Sequence, residues 1–324
     1  MHPDYRDWPD GTRALSLREP ADAALLARDD VQFDILSLGV GFETFEPLVP
    51  YAHCVKAVSL YGNPAADGLA QLQALEWLRD FGLKFDYRLL PRLRVFETRD
   101  ASVMPAQCLN HPNIEQLDVA ECRIETLAAL GDMAKLRQLR LVATKTKSLD
   151  GIERLTSLRE LRLHYARSLV DIAALAGCPD LRVLTFDESK KLPDLSVLRH
   201  LRQLRVLHVW QSQATLDDVD WLADLPALRH LALEAPVGRI DWASVARHPS
   251  LQNILLRVTP EGLAVSEDTV RQHFEAAGRV IKELRCITSK PGFLVRLEPR
   301  PGVEALAPSD FFPAPFVLHK LGAP

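Results

Sequence analysis

The sequence predicts an α/β solenoid: a horseshoe-like arc with a parallel β-sheet on its concave face, short 3₁₀ or helical segments on its convex face, and a cap at each end. Three observations predict it. First, one six-residue pattern returns as "LRQLRL" at 136, "LRELRL" at 158, "LRVLTF" at 181, "LRVLHV" at 204, "LRHLAL" at 228 and "LQNILL" at 251, in steps of 22, 23, 23, 24 and 23 residues. A fixed period in this range marks stacked repeats. Second, the first, fourth and sixth positions are apolar, as in Leu136, Leu139 and Leu141. Taken alone, "LRELRLHYAR" (158–167) also fits a basic amphipathic helix, because both periods are satisfied over so few residues. Its regular return makes it one rung of a sheet. Third, the return legs carry apolar residues three apart, such as Leu149, Ile152 and Leu155, or Ile124, Leu127, Leu130 and Met133. A repeat this short has no room for a long helix beside its strand and turns, so these legs suit 3₁₀ or short helical turns.

Taken in chain order, residues 1–32 form an N-terminal cap, in which "LREPADAALLARDD" places Ala and Leu at helical spacing over the first coil. The solenoid runs over residues 33–258 in about nine to eleven repeats, with "FDILSL" at 33, "VKAVSL" at 55, "LQALEW" at 72, "LRVFET" at 93 and "IEQLDV" at 114 ahead of the clearer copies. Stacking the units at about 4.8 Å makes the parallel sheet. Residues 259–324 form the C-terminal cap. Ser266 reads as the N-cap of a helix with acids in its first turn and Val270, Phe274, Ala277 and Ile281 on one face. "GFLVRL" reads as a final strand, and the Pro-rich tail with Phe311, Phe312 and Phe316 as an extended strap or a docking arm.

The LxxLxL head, followed by Cys122, Thr144, Ser189 or Ser212 and then by apolar residues three apart, resembles the leucine-rich-repeat family. "IEQLDVAECRIETLAALGDMAK" and "LRQLRLVATKTKSLDGIERLTS" are similar to its 22-residue class, that of internalins and of a protein-phosphatase-1 regulatory subunit. The resemblance covers about residues 33–258 and implies a horseshoe that binds protein partners on its concave face. The family usually places Asn at the ninth position to bond the turn backbone; here the position reads Asp80, Ala101, Cys122, Thr144, Ala166, Ser189, Ser212 and Pro236. Small hydroxyls can partly substitute for that Asn, but Ala101, Ala166 and Pro236 cannot, which predicts local irregularity or other donors there.

With 47% hydrophobic and 25% charged residues the composition is that of an ordinary soluble globular protein, and the net charge of -4 argues against a dedicated nucleic-acid binder. No apolar stretch approaches the length of a membrane span and the N-terminus has no signal-peptide pattern, which together predict a cytoplasmic protein. The Arg-rich, Ala-rich composition is compatible with a bacterial source. Five scattered cysteines without CxxC signal neither a disulfide framework nor a zinc site.

Outward positions of the strands are the candidates for a binding surface. The fifth-position column reads Glu76, Glu97, Asp118, Arg140, Arg162, Thr185, His208, Ala232. Like charges on neighbouring strands oppose pairing, so such a column is better suited to meeting a partner than to holding the sheet. The remaining outward positions add His164, Tyr165, Asp187, Val206, Trp210 and His230. Aromatic and Arg side chains of this kind are the usual hot-spot residues of protein interfaces. Residues 136–210 hold 14 basic against 8 acidic side chains, so the face is dipolar and suited to steering a protein. A ladder of Arg137, Arg159, Arg182, Arg205 and Arg229 is the alternative, a polyanion or nucleic-acid stripe; its plainer reading is that Arg stems cover the leucines.

No catalytic, cofactor or metal site is predicted. The three solvent-facing histidines, His164, His208 and His230, lack the converging ligand set a metal needs. Asp187 near His164 and His208 sits on an open sheet that does not exclude water, while Cys122 falls at the turn-facing ninth position and Cys178 among the apolar positions of the convex leg, both read as buried and inert. "GVG" at 39–41 is not a dinucleotide-binding fingerprint. The expected function is therefore non-catalytic protein binding by a monomer, as a bacterial toxin-neutralising immunity protein or a regulator of an enzyme. The alternative classes are a secreted effector acting on a host protein and a polyanion binder.

Overall fold

The computed structural model describes residues 2–7, 11–101, 110–192, 195–210, 216–259, 265–287 and 291–305. The tail phenylalanines Phe311, Phe312 and Phe316, the ninth-position Ser212 and Cys108 lie outside the described residues. The chain divides into two units, one built mainly on Met1–Arg123 and one mainly on Arg140–Pro313. Each is a repeat solenoid with a mostly parallel sheet.

In the first unit β1 (Asp4–Asp7) runs antiparallel to β2 (Arg13–Leu17). β2, β3 (Ile35–Leu38), β4 (Ala57–Leu60), β5 (Trp77–Asp80), β6 (Val95–Thr98) and β7 (Gln116–Ala120) then pair in parallel. Leu15, Leu36, Val58, Leu78, Phe96 and Leu117 form one inward row across these six strands, each fully buried. The stretch with helical spacing near the N-terminus forms a 3₁₀ segment, Pro20–Ala27, and β2 ahead of it pairs with β3, so these residues supply a coil of their own.

One predicted frame is corrected. The coil that begins at Leu72 in the sequence reading begins at Leu75, because Arg79, not Glu76, pairs with Glu97. "LQALEW" satisfies the apolar spacing and "LEWLRD" breaks it at its sixth position, Asp80, yet the second wins because Trp77 and Leu78 then continue the buried rows of Ala57 and Val58. Asp80 therefore sits at an inward position, with no exposure at all, rather than at the turn. Its carboxylate accepts from the Tyr87 hydroxyl and from the Gly82 amide, which satisfies a group that would otherwise be costly to bury.

β8 (Gln138–Val142) falls at the division. In the second unit β9 (Glu160–His164), β10 (Val183–Asp187), β11 (Val206–Trp210), β13 (His230–Arg239) and β14 (Asn253–Val258) pair in parallel, with the short β12 (Leu216–Asp218) alongside β13. Leu161, Leu184, Leu207, Leu231 and Ile254 are its fully buried inward row. The return legs are 3₁₀ turns, as the spacing by three predicts. In Ile152–Arg154 the Ile152 and Leu155 amides donate to the carbonyls three residues back, both at 3.0 Å, while Leu149, Ile152 and Leu155 are buried. Gly151 enters that turn at φ 96°, and a Cβ there would lie 2.3 Å from the Ala128 amide of the coil before.

Turns after the strands explain how the chain manages without the family's Asn. Thr144 Oγ1 accepts from the Thr146 amide at 3.2 Å, and Thr146 Oγ1 reaches the Ile124 carbonyl at 3.2 Å. At Pro236 the irregularity expected from the missing donor is present: β13 continues through the turn position, with a register shift between Leu233 and Val237.

The C-terminal segment departs from one expectation. α2 (Glu267–Ala276) is capped by Ser266, whose Oγ accepts from Thr269 N, and it buries Val270 and Phe274 against the shorter α1 (Trp242–Arg247). It stops before Ile281 because Gly278 takes a left-handed conformation at φ 66°. Ile281 instead opens β15 (Ile281–Ile287), which forms an antiparallel hairpin with β16 (Gly292–Leu297); β16 also pairs antiparallel with β14. Gly292 permits that approach, since a Cβ there would meet the Leu256 carbonyl at 2.4 Å. Among the described residues no helix is long and apolar enough to cross a membrane.

Candidate functional site

Parallel pairing with constant register arranges the outward side chains of the second unit in rows. One row is Glu160, Val183, Val206, His230 and Asn253; the next is Arg162, Thr185, His208, Ala232 and Leu255; the third is His164, Asp187 and Trp210. The structure therefore gathers Arg162, His164, Asp187, Val206, His208, Trp210 and His230 on one sheet face. Arg140, on β8, lies near enough to His164 to depress its basicity.

These residues are less exposed than their outward positions predict. Val206 is 1% and His208 6% exposed. Rows on neighbouring strands are only about 4.8 Å apart, so large side chains cover one another. The His208 and His230 rings meet nearly edge to face at 4.6 Å, and Trp210 lies 6.1 Å from His208. Burial holds His208 down to about 4, helped by Arg162 and His164, and His230 down to about 3, helped by His208 and Arg296. Both are neutral at pH 7. His164 is lowered too, by burial and then by Arg140, although its Nδ1 lies 3.4 Å from Asp187 Oδ2.

Polar groups concentrate here without being consumed by the fold. Arg162 Nη1, His164 Nε2, Thr185 Oγ1 and His208 Nε2 are buried and have no hydrogen-bond partner among the described residues. Arg162 makes one long contact, 3.4 Å, to Glu160. Buried polar atoms are nearly always paired in folded proteins, so four such atoms on three adjacent strands need a reason.

Tyr165 stands at the rim rather than in a row. The strand ends at His164, and Tyr165 adopts φ 54° with 46% exposure. Glu121, Ala143 and Glu188 share this left-handed conformation at the same repeat position. The Arg167 guanidinium lies 5.8 Å from the Tyr165 ring and bonds Glu188 at 2.7 Å.

Glu97 and Asp118 belong to the first unit and are buried, at 1% and 3% exposure, contrary to the expected exposed acidic column. They stand opposite each other on β6 and β7. The cause is the corrected frame: Arg79 brings a cation against Glu97 at 2.7 Å, and the pair closes over itself. The Glu97 carboxyl is raised, first by burial, with Arg79 opposing.

The arginine ladder is not a uniform free stripe. Arg159 meets Asp180 at 3.4 Å and Arg229 meets Glu304 at 3.1 Å. Cys122 and Cys178 are buried, and burial pushes the Cys178 thiol up to about 11, away from nucleophilic use.

The sequence reading missed residues that extend this face. A hollow of about 580 Å³ is lined by His208, Trp210, His230, Ala232 and Leu255 from the parallel strands and by Lys282, Leu294 and Arg296 from the β15–β16 hairpin, among others. Lys282 fell within a stretch read as continuing helix, while Leu294 and Arg296 fell in the strand read at "GFLVRL", whose pairing with β14 the sequence does not announce. Missed as well were His111 and His248, which share the motif His-Pro-x-apolar ahead of a repeat head. Each ring bonds the carbonyl of the preceding coil, Leu90 or Leu225, and accepts a backbone amide two residues on.

Comparison with solved structures places the fold. The Toll–Spätzle complex of Drosophila matches with a TM-score of 0.56 at 15% identity, over 81% of this chain and 42% of the matched chain. A leucine-rich-repeat protein of Leptospira interrogans matches with a TM-score of 0.47 at 18% identity, over 75% and 76%. Internalin C2 of Listeria monocytogenes gives 0.38 at 20%, over 56% and 71%. No family model and no curated relative matches the chain.

Proposed function

Starting from a chain with the leucine-rich-repeat fold, we propose that it is a non-catalytic binding protein that holds a protein partner on the outward sheet face of its second unit. The observation that carries this reading is the cluster of Arg162, His164, Thr185 and His208 polar atoms, buried yet unpartnered among the described residues, beside the half-buried Trp210. Leaving such atoms unpaired costs about 1–3 kcal/mol each. A docked partner that draws the partly exposed Arg162 and His164 side chains outward would recover part of that cost on binding. A broad sheet face of this kind acts by occupancy, which suits a protein that neutralises a toxin or regulates an enzyme by covering it.

The test is affinity capture from the cells that make the protein, comparing wild type with Arg162→Glu and Trp210→Ala. Both variants are expected to keep the wild-type circular dichroism and to lose the captured partner. If both remain folded and retain it, the assignment of this face is wrong. A loss of binding that follows salt steeply but ignores Trp210 would instead favour a polyanion.

A further inference from the structure

Beyond His208 the outward row changes character. Positions that hold Arg162, Thr185 and His208 are followed in register by Ala232, Leu255 and, across the antiparallel join, Leu294. Small Ala232 removes bulk where its neighbours are large, and Leu255 and Leu294 are partly exposed apolar side chains that continue a row begun by the polar Arg162, Thr185 and His208. The result is the hollow of about 580 Å³, which Trp210, Leu297, Pro299 and Ala305 also line. That volume lies in the range of sites that enclose a ligand group.

Its charge has one sign. Lys282 and Arg296 line it and, among the described residues, no carboxylate does, while burial keeps His208 and His230 neutral. Arg296 gives Nη1 to Glu283 at 3.2 Å, which leaves most of the guanidinium fork for a second acceptor. His208 Nε2, nine-tenths buried and unpartnered among the described residues, belongs to the same lining.

We propose that this hollow is the anchor point of the partner: it takes an aromatic side chain on the Ala232–Leu255–Leu294 floor, with an adjacent carboxylate held by Lys282 and Arg296, from an acidic-aromatic segment of the bound protein. The inference rests on the protein-binding reading above and names the chemistry that reading leaves open. An apolar floor alone would admit any hydrophobic group; the two cations select the anionic one.

The probe is the capped peptide acetyl-Asp-Phe-Asp-amide, compared with acetyl-Asn-Phe-Asn-amide and followed by tryptophan fluorescence and by the imidazole proton resonances. Saturable binding is expected, with the fluorescence change absent in Trp210→Phe, and with about tenfold weaker binding both for the neutral peptide and for Lys282→Glu. Lys282 is exposed, so that variant keeps its fold, and Ala232→Met fills the hollow as an independent block. Equal affinity for the two peptides, or an unchanged affinity in Lys282→Glu, overturns the inference. So does undiminished capture of the natural partner by both Lys282→Glu and Ala232→Met, and in that case the wider face assignment survives. Conversely, peptide binding as expected beside partner capture that ignores Arg162 and Trp210 sinks the wider reading alone.

Discussion

Glu97 stands directly opposite Arg79 on the neighbouring strand, and the two side chains join at 2.7 Å with Glu97 almost wholly buried. Arg79 also lies 5.3 Å from the Trp77 ring, so its position is fixed on two sides. Arg79→Met removes the nearer of the two cations on this buried carboxylate and leaves only Arg99, at 3.8 Å, which is expected to cost up to about 3 kcal/mol in unfolding free energy. The double variant Arg79→Met with Glu97→Met should recover most of that loss. Urea denaturation of the wild type, the single and the double variant checks both statements. A single variant as stable as wild type would show that the pair carries no weight.

That same pair marks the limit of what the sequence disclosed. The solenoid was legible because an inward residue recurs at every coil, and Leu161, Leu184 and Leu207 follow that rule without exception. The frame failed at one coil because an acid, Asp80, occupies an inward position, where the Tyr87 hydroxyl and the Gly82 amide make it tolerable. Outward residues from Arg162 to His230 were legible as a face, since a strand's period fixes direction. Their burial was not, because it depends on which side chains the adjoining coils bring alongside. The hollow was hidden for a third reason: Lys282 and Arg296 reach the face only through the antiparallel hairpin, and no repeat announces a hairpin.

Tyr165 holds a left-handed backbone at φ 54°, which costs an aromatic L-residue about 1–2 kcal/mol. Tyr165→Asn, a residue that tolerates this conformation, is expected to raise stability by up to about 1 kcal/mol. If Tyr165 is a contact residue, the same change weakens partner capture. Stability and binding should thus move in opposite directions, measured by thermal unfolding and by affinity capture of the one variant. Parallel movement of the two would reduce Tyr165 to a plain structural residue.

Acid should destabilise the second unit through its histidines. His208 and His248 are held down to about 4 and His230 to about 3, mainly by burial, against an ordinary value of 6.5. Above the ordinary value these rings are neutral in both folded and unfolded chains, and no penalty arises. As pH falls from 6.5 towards 4 the unfolded chain takes up protons first, so stability is lost through that window. The slope is about 1.4 kcal/mol per pH unit for each histidine that stays neutral in the folded state. Urea midpoints at about pH 7 and about pH 5 measure it, and His208→Gln should flatten the slope by about one proton. An unchanged slope in that variant would mean that His208 is protonated in the folded chain.

Arg279 fixes the C-terminal helix and hairpin to the last coils. Its side chain is 5% exposed, and it donates from Nη1 to the His248 carbonyl at 3.1 Å and from Nη2 to the Leu251 carbonyl. Burial lowers it to about 10, so it remains charged at neutral pH. Those carbonyls leave α1 and lead into β14, so losing the donor exposes the ends of both elements at once. Arg279→Met keeps the apolar stem but leaves the acceptors unsatisfied, at about 1–3 kcal/mol for each group. The expected result is a loss of several kcal/mol, confined by hydrogen exchange to amides of α1, α2, β14, β15 and β16. Arg279→Lys recovers only part of it, because one ammonium cannot reach acceptors spread as the guanidinium fork is. Full stability in Arg279→Met, or exchange that rises evenly through the second unit, would show that the C-terminal elements are held by apolar packing alone.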